Sequence, residues 1–268
     1  MDRHASAEPA PAYASALPGP GVNPAVVTRL RLYCFPYAGG SAASIYGRWR
    51  RMLPPWLELC PVEYPGRGAR MSEALHEDFP ALIAQLCAEI EPGLPTQYAL
   101  FGHSLGALVA FEVARRLATH AAAAPLAVLL SGCEAPGGRD AAVYAGLQGD
   151  REVLEYVCQL NGMEAEVLAS QELLALMLPI IKADLQLCAS YREAPLPALD
   201  CPLHVFGGTT DAIGRDALLA WRGESSGPSG IHMFEGDHFF IHSAQAQVVD
   251  RLCSLLQAAW PQRQALPA

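Results

Sequence analysis

Three residues of this chain have the types, and the order, needed to attack a carbonyl carbon. Ser104 sits in Gly102-His103-Ser104-Leu105-Gly106, Asp211 follows Gly207-Gly208-Thr209-Thr210, and His238 lies in Gly236-Asp237-His238-Phe239. A serine hydroxyl is a weak nucleophile until a base takes its proton. An imidazole base in turn needs a carboxylate to fix its tautomer and stabilise its charged form. In this reading His238 takes the Ser104 proton and later activates water, while Asp211 holds the ring. The oxyanion that forms needs N–H donors. Leu105 N–H, at the start of a helix, is one expected donor. Ala38 N–H, in the small-residue turn Tyr37-Ala38-Gly39-Gly40, is the other, with Tyr37 as second choice.

Rival groups are weaker on position. His103 neighbours the nucleophile but points differently in such a turn. His232 falls inside a strand and is expected to pack. Asp237 is too close in sequence to orient His238. Asp216 is the nearest alternative acid but falls in a helix, and Asp200 precedes its strand. No metal site is expected, because the eight cysteines form no Cys-x-x-Cys pair and none clusters with histidines.

A Gly-x-Ser-x-Gly motif is expected about 0.1 times by chance in a chain this rich in glycine, so its setting must carry it. Tyr98–Phe101 reads as a strand before the motif, and about 107–119 as a helix after it. That is the setting of a nucleophile elbow, whose fold orders the triad as serine, acid, histidine. Apolar runs predict further strands at 29–35, 57–62, 126–131, 203–206 and 231–234. Helical spacing predicts helices at 79–90 and 245–258. Alternating strands and helices imply a mostly parallel sheet covered on both faces, an α/β-hydrolase fold. Asp211 and His238 then both follow strands and fall at the same sheet edge as Ser104. Arg115 and Arg116 are expected to point away from the apolar face of the helix after Ser104.

Between Ser131 and Leu203 only helical signals occur: 151–161, 167–178, and 179–191, where Pro179 starts or kinks a helix. This insertion, about 136–198, is expected to form a lid over the site. The Ala- and Pro-rich residues 1–26 are expected to be a disordered tail ahead of one domain at 27–268. With 51% hydrophobic residues the chain can fill one sizeable core. A net charge of −9 argues against nucleic acid as a partner. No secretory signal or membrane span is expected; the nearest apolar run, 121–130, is short and broken by Pro125. Most cysteines sit inside apolar runs, as buried thiols in a reducing cytoplasm would.

Several segments together resemble the type II thioesterases that accompany polyketide and non-ribosomal peptide synthases. They are Phe35-Pro36-Tyr37-Ala38-Gly39-Gly40-Ser41, Tyr64-Pro65-Gly66-Arg67-Gly68, Gly102–Ala107, Leu178-Pro179-Ile180 with Ala183-Asp184, Gly207-Gly208 with Asp211, and Gly236–Phe239. They span about residues 32–255. The resemblance implies hydrolysis of acyl thioesters from the phosphopantetheine arm of an acyl or peptidyl carrier protein, through an acyl-Ser104 intermediate. It implies no metal and no resident cofactor, since the phosphopantetheine belongs to the partner, and a monomer is expected. Arg48, Arg50 and Arg51, and separately Arg67 and Arg70, are candidate docking cations for an acidic carrier. A carboxylesterase or acyltransferase on the same fold, and a non-enzymatic interaction protein, are the alternatives.

Overall fold

The computed structural model describes residues 29–120, 124–163 and 165–264. The expected tail at 1–26 lies outside them, as does part of the apolar run at 121–130. The strands are β1 (Leu30–Phe35), β2 (Leu57–Pro61), β3 (Tyr98–His103), β4 (Val128–Ser131), β5 (Leu203–Gly208) and β6 (Ser229–Phe234). They form one sheet in the order β2-β1-β3-β4-β5-β6, and every pairing is parallel. β3 and β4 are buried at every position, as strands covered on both faces must be.

Side chains alternate across the sheet and fill two separate cores. Leu100, Val128, Leu130, Leu203 and Val205 pack on one face. Ala99, Phe101, Leu129 and Phe206 pack on the other. The helices divide the same way. On the first face lie α2 (Phe79–Ile90) and α3 (Leu105–His120), whose Leu108, Phe111, Val113, Ala114 and Leu117 form the expected apolar side. The other face takes α1 (Ala42–Tyr46) and the terminal helix Gln245–Gln264. The chain thus leaves β1 toward one face and β3 toward the other. A crevice opens at the carboxyl ends of two such neighbouring strands, and Ala38 and Ser104 flank it.

Among the described residues the insertion between β4 and β5 holds the α-helices Ala141–Ala145, Asp150–Gln159, Ala165–Leu168 and Gln171–Ser190, numbered α4 to α7. Pro179 does not break α7, contrary to the expected boundary; one helix runs from Gln171 to Ser190 around it. Proline removes a single hydrogen bond there, and apolar packing on both sides outweighs it. The two halves differ in burial. Before Pro179, Leu173 and Leu176 are exposed; after it, Ile181, Ala183, Asp184, Leu185, Leu187 and Cys188 are buried. Half of the helix is therefore wall and half is core. By length and composition alone α7 could cross a membrane, so the expectation that no segment reaches that length fails here. The expected division at Pro179 had hidden it.

Arg115 does not point away. It is 3% exposed and pairs with the buried Glu112. Its guanidinium also donates to the carbonyls of Ala194 (2.9 Å), Pro197 (3.3 Å) and Leu196, and Tyr191 Oη donates to Glu112 at 2.9 Å. This group pins α3 to the chain that returns from α7 to β5. Arg115→Ala would strand the Glu112 carboxylate, and one partner lost from a buried pair costs about 3–5 kcal/mol. Urea denaturation of Arg115→Ala should show a loss of that size, whereas a change under about 1 kcal/mol would mean the pair is dispensable.

Candidate active site

Ser104 stands at a backbone turn built for it. Its φ is +55°, a left-handed conformation that costs a non-glycine residue roughly 1–2 kcal/mol. Ser104 N–H donates to Ser131 C=O on β4 at 2.8 Å, and Ser104 C=O accepts from Ala107 N–H at 2.9 Å. Both flanking glycines are required by contact. A Cβ at Gly102 would overlap the Gly106 carbonyl, and one at Gly106 would overlap the Phe35 carbonyl at the end of β1. Helix α3 begins at Leu105, earlier than the expected start near 107, so Leu105 N–H belongs to its unpaired first turn.

His238 and Asp211 form the expected pair. His238 Nδ1 donates to Asp211 Oδ2 at 2.9 Å, with both side chains buried. Asp211 Oδ1 accepts Ile213 N–H at 3.1 Å, which fixes the carboxylate plane. With its proton on Nδ1, the ring keeps its lone pair on Nε2. Ser104, Leu105, Asp211 and His238 border one cavity of about 1270 Å³, together with Tyr37, Ala38 and Gly39. Among the described residues Ser104 Oγ makes no hydrogen bond to His238. Such contacts often tighten only with substrate bound.

The rivals are accounted for. His103 is fully buried beneath the site, bonded to Ser131 Oγ at 2.9 Å, with its ring 5.1 Å from His238. Burial, then the neighbouring His238, hold its pKa well below 6.5. Asp237 accepts Phe239 N–H (2.9 Å) and Asn161 Nδ2 (3.0 Å) instead of orienting His238. His232 packs on Phe206, and burial lowers it to about 4. Asp216 sits in the first turn of a short helix at Arg215–Leu219, and Asp200 accepts from Ser226 before β5.

The turn after β1 is ordered by residues whose part the sequence did not reveal. Gly40 N–H donates to Tyr37 C=O at 3.0 Å, with Gly39 at φ +79°, the geometry of a type II turn. Gly39 N–H donates to Asp184 Oδ2 at 2.7 Å. Arg67 grips the same carboxylate with both terminal nitrogens, Nη2 to Oδ1 at 2.6 Å and Nη1 to Oδ2. Arg67 is thus buried and cannot be a docking cation. Arg70 is committed too, to Glu73 and Glu89. Of the expected docking groups only Arg48, Arg50 and Arg51 stand exposed, and Arg48 borders the cavity. Asp184 and Arg67 lay inside the family-like segments, but nothing in their spacing announced that they meet.

The far cavity wall comes from the insertion: Tyr156, Val157, Met163, Met177, Ile181 and Leu185. Apolar and flexible side chains there suit an acyl chain. Among the described residues no group of three or more His, Cys, Asp or Glu could hold a metal, and the cysteines form no disulfide.

The thioesterase domain family matches residues 30–259. Thioesterase PikA5 of Streptomyces venezuelae is 35% identical over 222 residues, 82% of this chain and 78% of that protein. Gramicidin S biosynthesis protein GrsT of Aneurinibacillus migulanus is 32% identical over 230 residues, 85% of this chain and 90% of that one. The type II thioesterase BorB from the borrelidin biosynthetic cluster superposes with a TM-score of 0.78 at 33% identity, covering 87% of this chain and 95% of its own.

His103 gives the site a pH signature. Its folded pKa lies below its unfolded value near 6.5, so unfolding takes up a proton as pH falls below that value. Its contribution to stability is complete above about pH 6.5 and falls by up to about 1.4 kcal/mol per pH unit below it. Chemical denaturation between pH 7 and 5 should show His103→Asn flattening that slope by about one proton. An unchanged slope would refute the assignment.

Proposed function

The chain belongs to the thioesterase family, and we propose that Ser104, His238 and Asp211 are its catalytic triad, acting on acyl thioesters borne by a carrier protein. One observation carries the assignment: the buried His238–Asp211 bond borders the same cavity as a serine held at φ +55° on an elbow.

The chemistry follows from the positions. Ser104 Oγ attacks the thioester carbonyl carbon while its proton passes to His238 Nε2. The carbonyl oxygen becomes an oxyanion, received by the backbone N–H groups of Leu105 and Ala38. The C–S bond then breaks, and His238 returns the proton to the departing phosphopantetheine thiolate. Water next gives a proton to His238 and adds to the acyl-Ser104 ester, and collapse frees the acid and restores the serine. Asp211 stays ionised and stabilises the imidazolium in both halves. The scheme uses no metal and no resident cofactor. Helices α4 to α6 and the first half of α7 act as the lid over the acyl chain. We place the reaction in the cytoplasm, on a monomer; cysteines kept as thiols, with no disulfide among the described residues, suit that compartment.

Two measurements test this reading. Ser104→Ala should lower release of an acyl group from a loaded carrier by about 10⁶-fold, and wild-type-like release from the variant would refute it. Charge reversal at Arg48, Arg50 and Arg51 should lower kcat/KM on the carrier-bound thioester by about tenfold and leave a small N-acetylcysteamine thioester unaffected. Equal losses on both substrates would remove these arginines from docking.

A further inference from the structure

Asp184 stands on α7, in the insertion, 145 residues from the turn it touches. It is fully buried, and its carboxylate takes three donors: Gly39 N–H and both terminal nitrogens of Arg67. A buried carboxylate so satisfied is held tightly, and it holds its donors equally tightly.

What it holds is the peptide that decides the turn. In a type II turn the central peptide, here Ala38–Gly39, is flipped relative to type I, and its N–H points to the opposite side. Asp184 Oδ2 fixes the direction of the Gly39 N–H. The contact also removes Gly39 from the pool of oxyanion donors, since its one proton is spent. Packing backs this up: a Cβ at Gly39 would come within 2.6 Å of Ile181 Cγ1, one helical turn before Asp184. The other side of the turn is tied to the loop that carries Arg67. Tyr64 Oη donates to Pro36 C=O at 3.3 Å, and Glu63 accepts from Ser41 Oγ (2.7 Å) and Ala42 N–H (3.0 Å). Arg67 itself lies over the Tyr64 ring, 5.2 Å from its centroid.

We propose that Asp184 is a positioning residue for the oxyanion turn: held by Arg67, it anchors the Gly39 N–H and so holds in place the turn whose preceding amide, Ala38 N–H, faces the reacting carbonyl. It thereby makes the turn and the buried half of the lid helix one unit. The inference rests on the reading of Ala38 as an oxyanion donor. Asp184 acts through the turn and does not touch the substrate.

The test separates transition-state from ground-state binding. A trifluoromethyl ketone analogue of the acyl chain forms an oxyanion on Ser104, whereas a thioether analogue does not. Asp184→Leu, which leaves the Gly39 N–H without its acceptor, should lower kcat by about 10-fold to 100-fold, part of the loss seen when an oxyanion donor is removed, with KM within about threefold. It should weaken the trifluoromethyl ketone by a similar factor and leave thioether affinity within about threefold. Arg67→Lys keeps an acceptor for Gly39 and should lose clearly less kcat than Asp184→Leu, which keeps none. Equal losses in the two variants, or parallel losses of both inhibitors, would overturn the proposal. In the wild type, the Gly39 amide should exchange at least about 100-fold more slowly than an open amide, and free exchange would overturn it without any variant. Failure of the wild type itself to bind the trifluoromethyl ketone would instead strike the triad assignment.

Discussion

The contact on which the site depends is the one between Gly106 and the carboxyl end of β1. The backbone of α3 comes so near the Phe35 and Pro36 carbonyls that no side chain fits between them. Gly102 meets Gly106 in the same way from β3. These two approaches force the chain to reverse within a few residues, and Ser104 absorbs the reversal at φ +55°. The strain is small against the stability of the fully buried strands β3 and β4, which hold the turn on either side. The same closeness brings the turn after β1 next to the nucleophile. One packing constraint therefore sets both the attacking oxygen and one wall of the pocket that receives the oxyanion.

Parallel topology supplies the rest. Because every strand runs the same way, residues that follow β1, β3, β5 and β6 all emerge at one edge. That is why Ala38, Ser104, Asp211 and His238 meet although they span 200 residues of chain. The departure of α1 and α3 to opposite faces opens the crevice at this edge, the usual place for a ligand in an open α/β sheet. Helix α7 then reaches across, half in the core and half over the cavity.

What the sequence made legible was whatever local pattern encodes. The elbow, the order of the triad, the six strands and the helix at 79–90 all follow from short-range spacing and from glycine where only glycine fits. What it hid were long-range polar contacts. Arg67 and Arg115 looked like surface charges, because an arginine on a helix or loop is usually solvated. Burial came from partners at a distance: Asp184, 117 residues away, and the chain at 194–197. Pro179 misled for a related reason. Local propensity says a helix stops there, but tertiary packing on both sides carries α7 through. The acyl cavity was equally unreadable, since its wall is assembled from several helices of the insertion and no single segment encodes its shape.

Two kinds of rigidity thus meet at the reacting carbonyl, and they differ in what could move them. The Ser104 side is fixed by backbone against backbone, so it can shift only if the sheet itself gives way. The Ala38 side is fixed by a side chain, Asp184, whose helix carries the cavity wall on its other half. A displacement of α7 would leave the nucleophile and the Leu105 N–H in place and shift the Ala38 side of the oxyanion pocket together with the cavity wall. Replacing the Arg67–Asp184 pair by apolar residues of matching volume could hold the core as well or better, since buried ion pairs often fail to outperform such packing. It could not hold the Gly39 N–H. Orientation of that one peptide is the demand that a carboxylate meets and a hydrocarbon cannot. It accounts for a desolvated carboxylate, paired with Arg67 of the loop after β2, on a helix whose other buried residues are apolar.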